Sequence, residues 1–195
     1  ATLPRHFPQI SSNLSQFGLV DQRTKVLYEK PFGESLKSAK KLNHCITELF
    51  SEDQIYRIDH YLDKELVSNL TVLRFSNTVI EPIWSSDYID HVQIIATEKA
   101  GVAGRGEFYD QYGVIKDFFQ SHLLQLLALT AMDAPSNLNA EGIRDSKTEV
   151  LKNAEVEDLI TGQYERYKSE PGVKENSKTE TLATMEINLN SSKWR

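Results

Sequence analysis

The chain has 195 residues, 39% apolar and 26% charged, with 28 acidic side chains against 22 basic ones and a formal net charge of −6. That is the composition of an ordinary globular protein with enough chain to bury a sizeable core. The negative balance excludes a basic nucleic-acid binder, and no apolar run approaches the ~18 residues of a membrane span. The single cysteine, Cys45, excludes an internal disulfide framework and a cysteine-rich zinc site, and no metal site is expected. What remains is a cytoplasmic protein of one domain or slightly more.

In chain order, Pro4 and Pro8 predict a turn-like start. Lys25-Val-Leu-Tyr28 reads as a strand that leaves into the turn Glu29-Lys-Pro-Phe-Gly33. Ser35 is placed to cap a helix whose apolar positions Leu36, Ala39, Leu42, Ile46, Leu49 and Phe50 recur at helical spacing. Ile55–Ile58 is strand-like, and helix potential resumes from Lys64 through Leu73. His91–Thr97 predicts a further strand before the glycine-punctuated loop Gly101–Gly106. The strongest helix spans Ile115–Met132, where Ile115, Phe118, Phe119, Leu123, Leu126 and Leu127 form a wide apolar stripe. Residues 133–181 are polar and predict long loops with short strands and helical turns. Ala183, Met185, Ile187 and Leu189 alternate with polar residues, the period of a half-buried strand. A strand so late in the chain wants partners and a continuation, so the expectation is a piece of a longer polypeptide. The element order predicts the tail of an α/β unit joined to an α+β domain.

Charge is uneven: residues 1–75 carry 10 basic and 9 acidic side chains, and residues 76–195 carry 12 and 19. An anion site therefore belongs more naturally in the first part, although a solvated acidic surface on the second explains the asymmetry equally well. Arg57-Ile-Asp-His-Tyr-Leu-Asp-Lys-Glu65 is the densest polar cluster. A strand feeding a helix start puts Asp59, His60, Tyr61 and Lys64 near a helix N-terminus, whose free N–H groups favour an anion such as phosphate. A surface ion-pair patch around a helix cap is the other reading of the same residues. His122 faces the apolar side of its stripe as either a satisfied core histidine or a general base, imidazole being the side chain that exchanges protons near neutral pH. Asp117, five residues earlier, lies about 140° away on an α-helix of ~3.6 residues per turn and is a poor direct partner for it. Lys30-Pro31 ends a strand where α/β folds place ligands, or is an ordinary turn.

Together these segments resemble the glucose-6-phosphate dehydrogenase family. The match runs through Glu29-Lys-Pro-Phe-Gly33, Asp53-Gln-Ile-Tyr-Arg-Ile-Asp-His-Tyr-Leu62, Asn69–Phe75, Pro82-Ile-Trp84, Gly104-Arg-Gly106, Tyr109-Asp110, Gly113–Asp117 and His122-Leu-Leu-Gln125. The resemblance implies oxidation of glucose 6-phosphate at C1 to 6-phosphogluconolactone, with hydride passing to NADP. It makes His122 the base and Asp59 its supporting carboxylate. His60, Tyr61 and Lys64 correspond to phosphate contacts, Glu98 and Asp117 to contacts with sugar hydroxyls, and Lys30 and Pro31 to the nicotinamide end of the cofactor, Lys30 also meeting substrate. The implied fold is α+β: the tail of a Rossmann-type unit over residues 1–68, then part of a large, mainly antiparallel sheet packed with helices over 69–195. A homo-oligomer is implied for the full-length protein, with neither nucleic acid nor membrane as partner.

Two departures stand out. Asp63 occupies a position where the family usually has glycine. The family's Gly-rich phosphate-cradling motif has no counterpart in these 195 residues, since Gly101, Gly104 and Gly106 do not form it. The expectation is a chain inactive, or nearly so, by itself. The alternative is a non-catalytic sugar-phosphate-binding or oligomerising module on the same scaffold.

Overall fold

In the computed structural model, which describes residues 4–33 and 35–194, the chain folds as two units that part between His60 and Tyr61. The first opens with α1 (Phe7–Gln16) where a turn was expected. Pro8 sits in the first helical turn, where its missing N–H has no partner to lose. Strand β1 (Val26–Glu29), helix α2 (Leu36–Thr47) and strand β2 (Ile55–Ile58) follow as the sequence predicts. The strands pair in parallel, Val26 opposite Ile55 through Glu29 opposite Ile58, with α2 as the crossover. Ser35 caps α2, its hydroxyl accepting the Ser38 N–H while the Ser38 hydroxyl accepts the Ser35 N–H.

The core of this unit is Phe7, Tyr28, Ile46, Phe50 and Ile55, each worth roughly 1.5–3 kcal/mol when fully buried. Tyr28 keeps its hydroxyl satisfied 2.8 Å from Ser11 Oγ. The buried Gln54 amide donates to the carbonyls of Asp21 (2.7 Å) and Thr24 (2.9 Å), tying the lead-in of β2 to that of β1. Leu27 and Tyr56, opposite each other in register, leave one face of the strand pair exposed.

The second unit contains α3 (Glu65–Phe75), α4 (Gly106–Val114), a π-helix (Ile115–Leu123), α5 (Leu124–Ala131), α6 (Ala140–Lys152) and the strands β3 (Ala154–Gly162) and β4 (Leu182–Leu189). The strands pair antiparallel from Ala154 opposite Leu189 to Gly162 opposite Leu182, with an irregularity between Val156 and Asp158. Along β4, exposed and half-buried residues alternate, as its sequence pattern predicts. A parallel β–α–β unit followed by helices and an antiparallel pair makes the chain an α+β protein.

Three expectations fail here. Residues 91–97 pair with no described strand, because a β-rich segment becomes a strand only when a neighbouring edge takes its hydrogen bonds. Residues 133–181 hold a 13-residue helix and a 9-residue strand, where long loops with only short strands and helical turns are expected. Asn139 caps that helix through Gly142 N–H at 2.8 Å, a signal hidden among the polar residues around it. The predicted single helix over 115–132 is π-helical in its first half.

The C-terminal end of α5 shows what holds this unit together. The last carbonyls of a helix lack partners within it. Here Arg74 Nη1 donates to Leu129 O and Nη2 to Met132 O, both at 2.7 Å. Trp84 Nε1 donates to Thr130 O and Trp194 Nε1 to Ala131 O, both at 2.8 Å. All four carbonyls thus take a side-chain donor. The Arg74 guanidinium is wholly buried, 3.3 Å from Glu81 Oε2 and within reach of the Trp84 ring face at 5.3 Å. Burial draws its pKa below the ordinary guanidinium value, an effect Glu81 opposes. Among the described residues no helix is long and apolar enough to cross a membrane.

Candidate active site

The π-helix sets the geometry. Gly113 adopts φ +70°, ψ 170°, which interrupts the helical run, and the chain restarts at Ile115 with i→i+5 hydrogen bonding. In such a ladder, residues five apart fall on neighbouring positions of one face. The expectation that Asp117 is a poor neighbour of His122 assumes α-helical geometry, and over Ile115–Leu123 the helix is of the π type.

His122 is 3% exposed. Its ring stacks on that of Tyr61, with centroids 4.4 Å apart and planes 26° from parallel. Phe118 stands edge-on to both, 5.4 Å from Tyr61 and 5.7 Å from His122. Lys64 Nζ lies 3.6 Å from the Tyr61 ring centroid, a close cation–π contact. Lys64 is also the N-cap residue of α3, and its side chain, unlike the usual capping side chains, has no acceptor to offer the first-turn N–H groups. The helix start thus presents an ammonium and a positive dipole end side by side. Three of the residues singled out by sequence, Tyr61, Lys64 and His122, meet in this one cluster.

The charges of Glu98 and Asp117 both act on Tyr109 of α4. Burial, then the charges of Asp117 and Glu180, push the Tyr109 phenol up to about 12, with Tyr164 and Glu98 adding to it. The phenol therefore stays protonated, a fixed donor among carboxylates, throughout the neutral range. Sequence singled Tyr109 out only as part of a matching motif. Its neighbours lie 8 to 71 positions away, and nothing in local spacing announces them.

The remaining residues lie in the first unit. Because β1 and β2 run parallel and end at the Glu29–Ile58 pair, Lys30-Pro31 and Asp59-His60 leave the sheet at the same carboxyl edge. That is the edge at which parallel sheets bind ligands. The Lys30–Pro31 peptide is cis.

Facing α4, the β3–β4 connection is stitched down at Asp110. Its carboxylate accepts from Tyr167 OH at 3.1 Å and from the Ser177 hydroxyl, while its carbonyl accepts from Thr179 Oγ1 at 2.7 Å. Burial works to raise the Asp110 pKa, but the hydrogen bonds from Ser177 and Tyr167 outweigh it and leave the carboxyl below its ordinary range.

A parallel β–α–β segment is thus followed by an antiparallel α+β unit with a buried histidine beside a lysine-bearing helix start. Residues 1–69 match the family model described as "Glucose-6-phosphate dehydrogenase, NAD binding domain" and residues 71–195 the one described as "Glucose-6-phosphate dehydrogenase, C-terminal domain". The chain belongs to the glucose-6-phosphate dehydrogenase family. It is 49% identical over 174 residues to the cytoplasmic isoform of glucose-6-phosphate 1-dehydrogenase from Solanum tuberosum, covering 88% of this chain and 34% of that protein. It is 42% identical to the Borreliella burgdorferi glucose-6-phosphate 1-dehydrogenase, covering 100% of this chain and 45% of that one. Among solved structures, a glucose-6-phosphate dehydrogenase in complex with its substrate glucose-6-phosphate is similar at a TM-score of 0.92 and 38% identity, over 100% of this chain and 43% of that one. The Mycobacterium avium enzyme is similar at 0.91 and 38%, over 99% and 44%. The chain thus spans between a third and a half of the length of these relatives.

Proposed function

We propose that this chain supplies part of the active site of an enzyme that oxidises glucose 6-phosphate to 6-phosphogluconolactone, the turnover belonging to a longer polypeptide of its relatives' length. The observation that carries the reading is the cluster of Tyr61, Lys64 and His122 in the second unit. His122 takes the proton of the C1 hydroxyl as the C1–H electron pair departs as hydride, leaving the lactone carbonyl. NADP, when bound, supplies the hydride acceptor. Stacking on Tyr61 and the edge of Phe118 fix the imidazole plane, so the base has little rotamer freedom to lose on binding substrate. Lys64 and the start of α3 hold the phosphate, with His60 and Tyr61 as its further contacts. Glu98 and Asp117 take sugar hydroxyls, and Tyr109, whose phenol their charges help keep protonated, is a neutral donor.

In the first unit, the carboxyl edge of a parallel strand pair suits the nicotinamide end of a dinucleotide, which Lys30 and Pro31 would hold. Asp59 is assigned as the carboxylate that supports the base. Residues 1–68 are read as part of a coenzyme domain and 69–195 as part of a substrate domain. The homo-oligomer belongs to the longer polypeptide. A cytoplasmic place follows the potato isoform, a choice the chloroplastic relatives show is not common to the whole family.

The test is turnover of glucose 6-phosphate with NADP by the complete polypeptide carrying this chain, beside a calorimetric titration of substrate into wild type and Lys64→Ala. The reading expects turnover, and binding that weakens sharply in the variant. A folded polypeptide that binds substrate without turning it over would favour the non-catalytic module instead.

A further inference from the structure

Where Gly113 breaks the helical run, a new helix begins, and its first N–H groups need acceptors from outside. One residue provides two of them. Glu180, at the end of the β3–β4 connection, accepts the Val114 N–H on its backbone carbonyl at 2.9 Å. Its carboxylate Oε1 accepts the Ile115 N–H at 3.2 Å. The same carboxylate occupies the space a side chain at position 113 would need: a Cβ built there lies 2.2 Å from Glu180 Oε1 and 2.7 Å from Oε2. A negative group at a helix start is favoured by the helix dipole as well as by the hydrogen bond.

Glu180 does not hang free in reaching this place. The connection that carries it is fastened to α4 by the Tyr167, Ser177 and Thr179 bonds to Asp110. It is tied to itself by Gln163 Nε2, which donates to Ser177 O at 3.1 Å and Thr179 O at 2.9 Å. Thr181 N–H, donating to Gly162 O at 2.8 Å, then locks the residue after Glu180 to the end of β3.

We propose that Glu180 is a positioning residue for the base: from a loop 65 residues away it caps the start of the π-helix, fixing where the i→i+5 ladder begins and hence where that ladder carries His122. A restart with α-helical hydrogen bonding would wind the chain differently and turn His122 to another side of the helix. Gly113 is the other half of the device, because only a residue without Cβ leaves room for the carboxylate and adopts φ +70° without strain. This inference rests on the reading of His122 as the base.

The test uses the complete polypeptide with Glu180→Asp and Glu180→Gln. Aspartate keeps the charge but withdraws the carboxylate by one methylene, whereas glutamine keeps the acceptor at its full reach. Glu180→Asp should lose kcat by about 10²-fold with KM for glucose 6-phosphate little changed, the cost of a base displaced by roughly 1 Å. Glu180→Gln should retain most of the wild-type kcat. A residue of merely structural importance would lower the melting temperature of both variants and leave kcat per folded molecule intact, and that result overturns the proposal. A wild type that turns over substrate beside an unimpaired Glu180→Asp overturns only the role of Glu180. A wild type without turnover overturns the functional reading and this inference with it.

Discussion

Arg74 and Asp110 show how single charged residues do most of their work through backbone they do not belong to. Arg74 is wholly buried and meets two helix-end carbonyls and a carboxylate. Replacing it by methionine fills similar volume but leaves Leu129 O and Met132 O without their donor, while Glu81 keeps the ammonium of Lys193. Each buried acceptor left unsatisfied costs about 1–3 kcal/mol. Arg74→Met should therefore shift the urea unfolding midpoint far more than a surface substitution such as Arg23→Met. Equal shifts would mean that the capping contributes little.

Asp110 gives a pH signature. Its folded-state pKa lies below the ordinary value of 3.8. The stability it contributes is therefore fully present above that value and is lost as pH falls through the lowered one. Asp110→Asn should be less stable than wild type by a constant margin between pH 5 and 7, and the margin should narrow below about pH 3.8. Unfolding curves at pH 3 and pH 7 measure it, and a margin that widens on acidification would contradict the assignment.

At the scale of elements, the caps are where sequence and structure agree best. Ser35, Ser38 and the apolar spacing after them place α2 without reference to anything distant, and Ser35→Ala should cost about 1 kcal/mol in chemical unfolding. An unchanged midpoint would show the box to be idle. Strand β2 and the alternating β4 were equally legible, because a strand's period is written in its own residues. His91–Thr97 misled because its pattern is strand-like while its partner is a matter of tertiary context. The π-helix was hidden for a different reason. Its sequence carries an α-like apolar stripe, and what changes the ladder is the break at Gly113 together with Glu180 from far along the chain. Gly113 was the one local signal, a glycine just ahead of a strong helical pattern. The Arg57–Glu65 cluster and His122 were visible as candidates, yet the stacking of His122 on Tyr61 joins residues 61 positions apart and has no local trace.

On the scale of the whole molecule, the chain is two units with different secondary structure: a parallel β–α–β segment with Lys30-Pro31 and Asp59-His60 at its carboxyl edge, and an antiparallel α+β unit with the proposed base. It spans 34% of the potato relative and 45% of the Borreliella one, and in the proposed reading it supplies part of a site whose turnover needs a polypeptide of its relatives' length. Within that account everything turns on one imidazole. The most direct measurement is the turnover of His122→Asn in the complete polypeptide, with substrate affinity measured alongside. Asparagine preserves polarity and approximate size but cannot take the C1 hydroxyl proton. A fall in kcat of about 10²–10⁴-fold, with glucose 6-phosphate affinity little changed, is the predicted result. A variant that keeps wild-type kcat would show His122 to be a packed core histidine and would contradict the central claim.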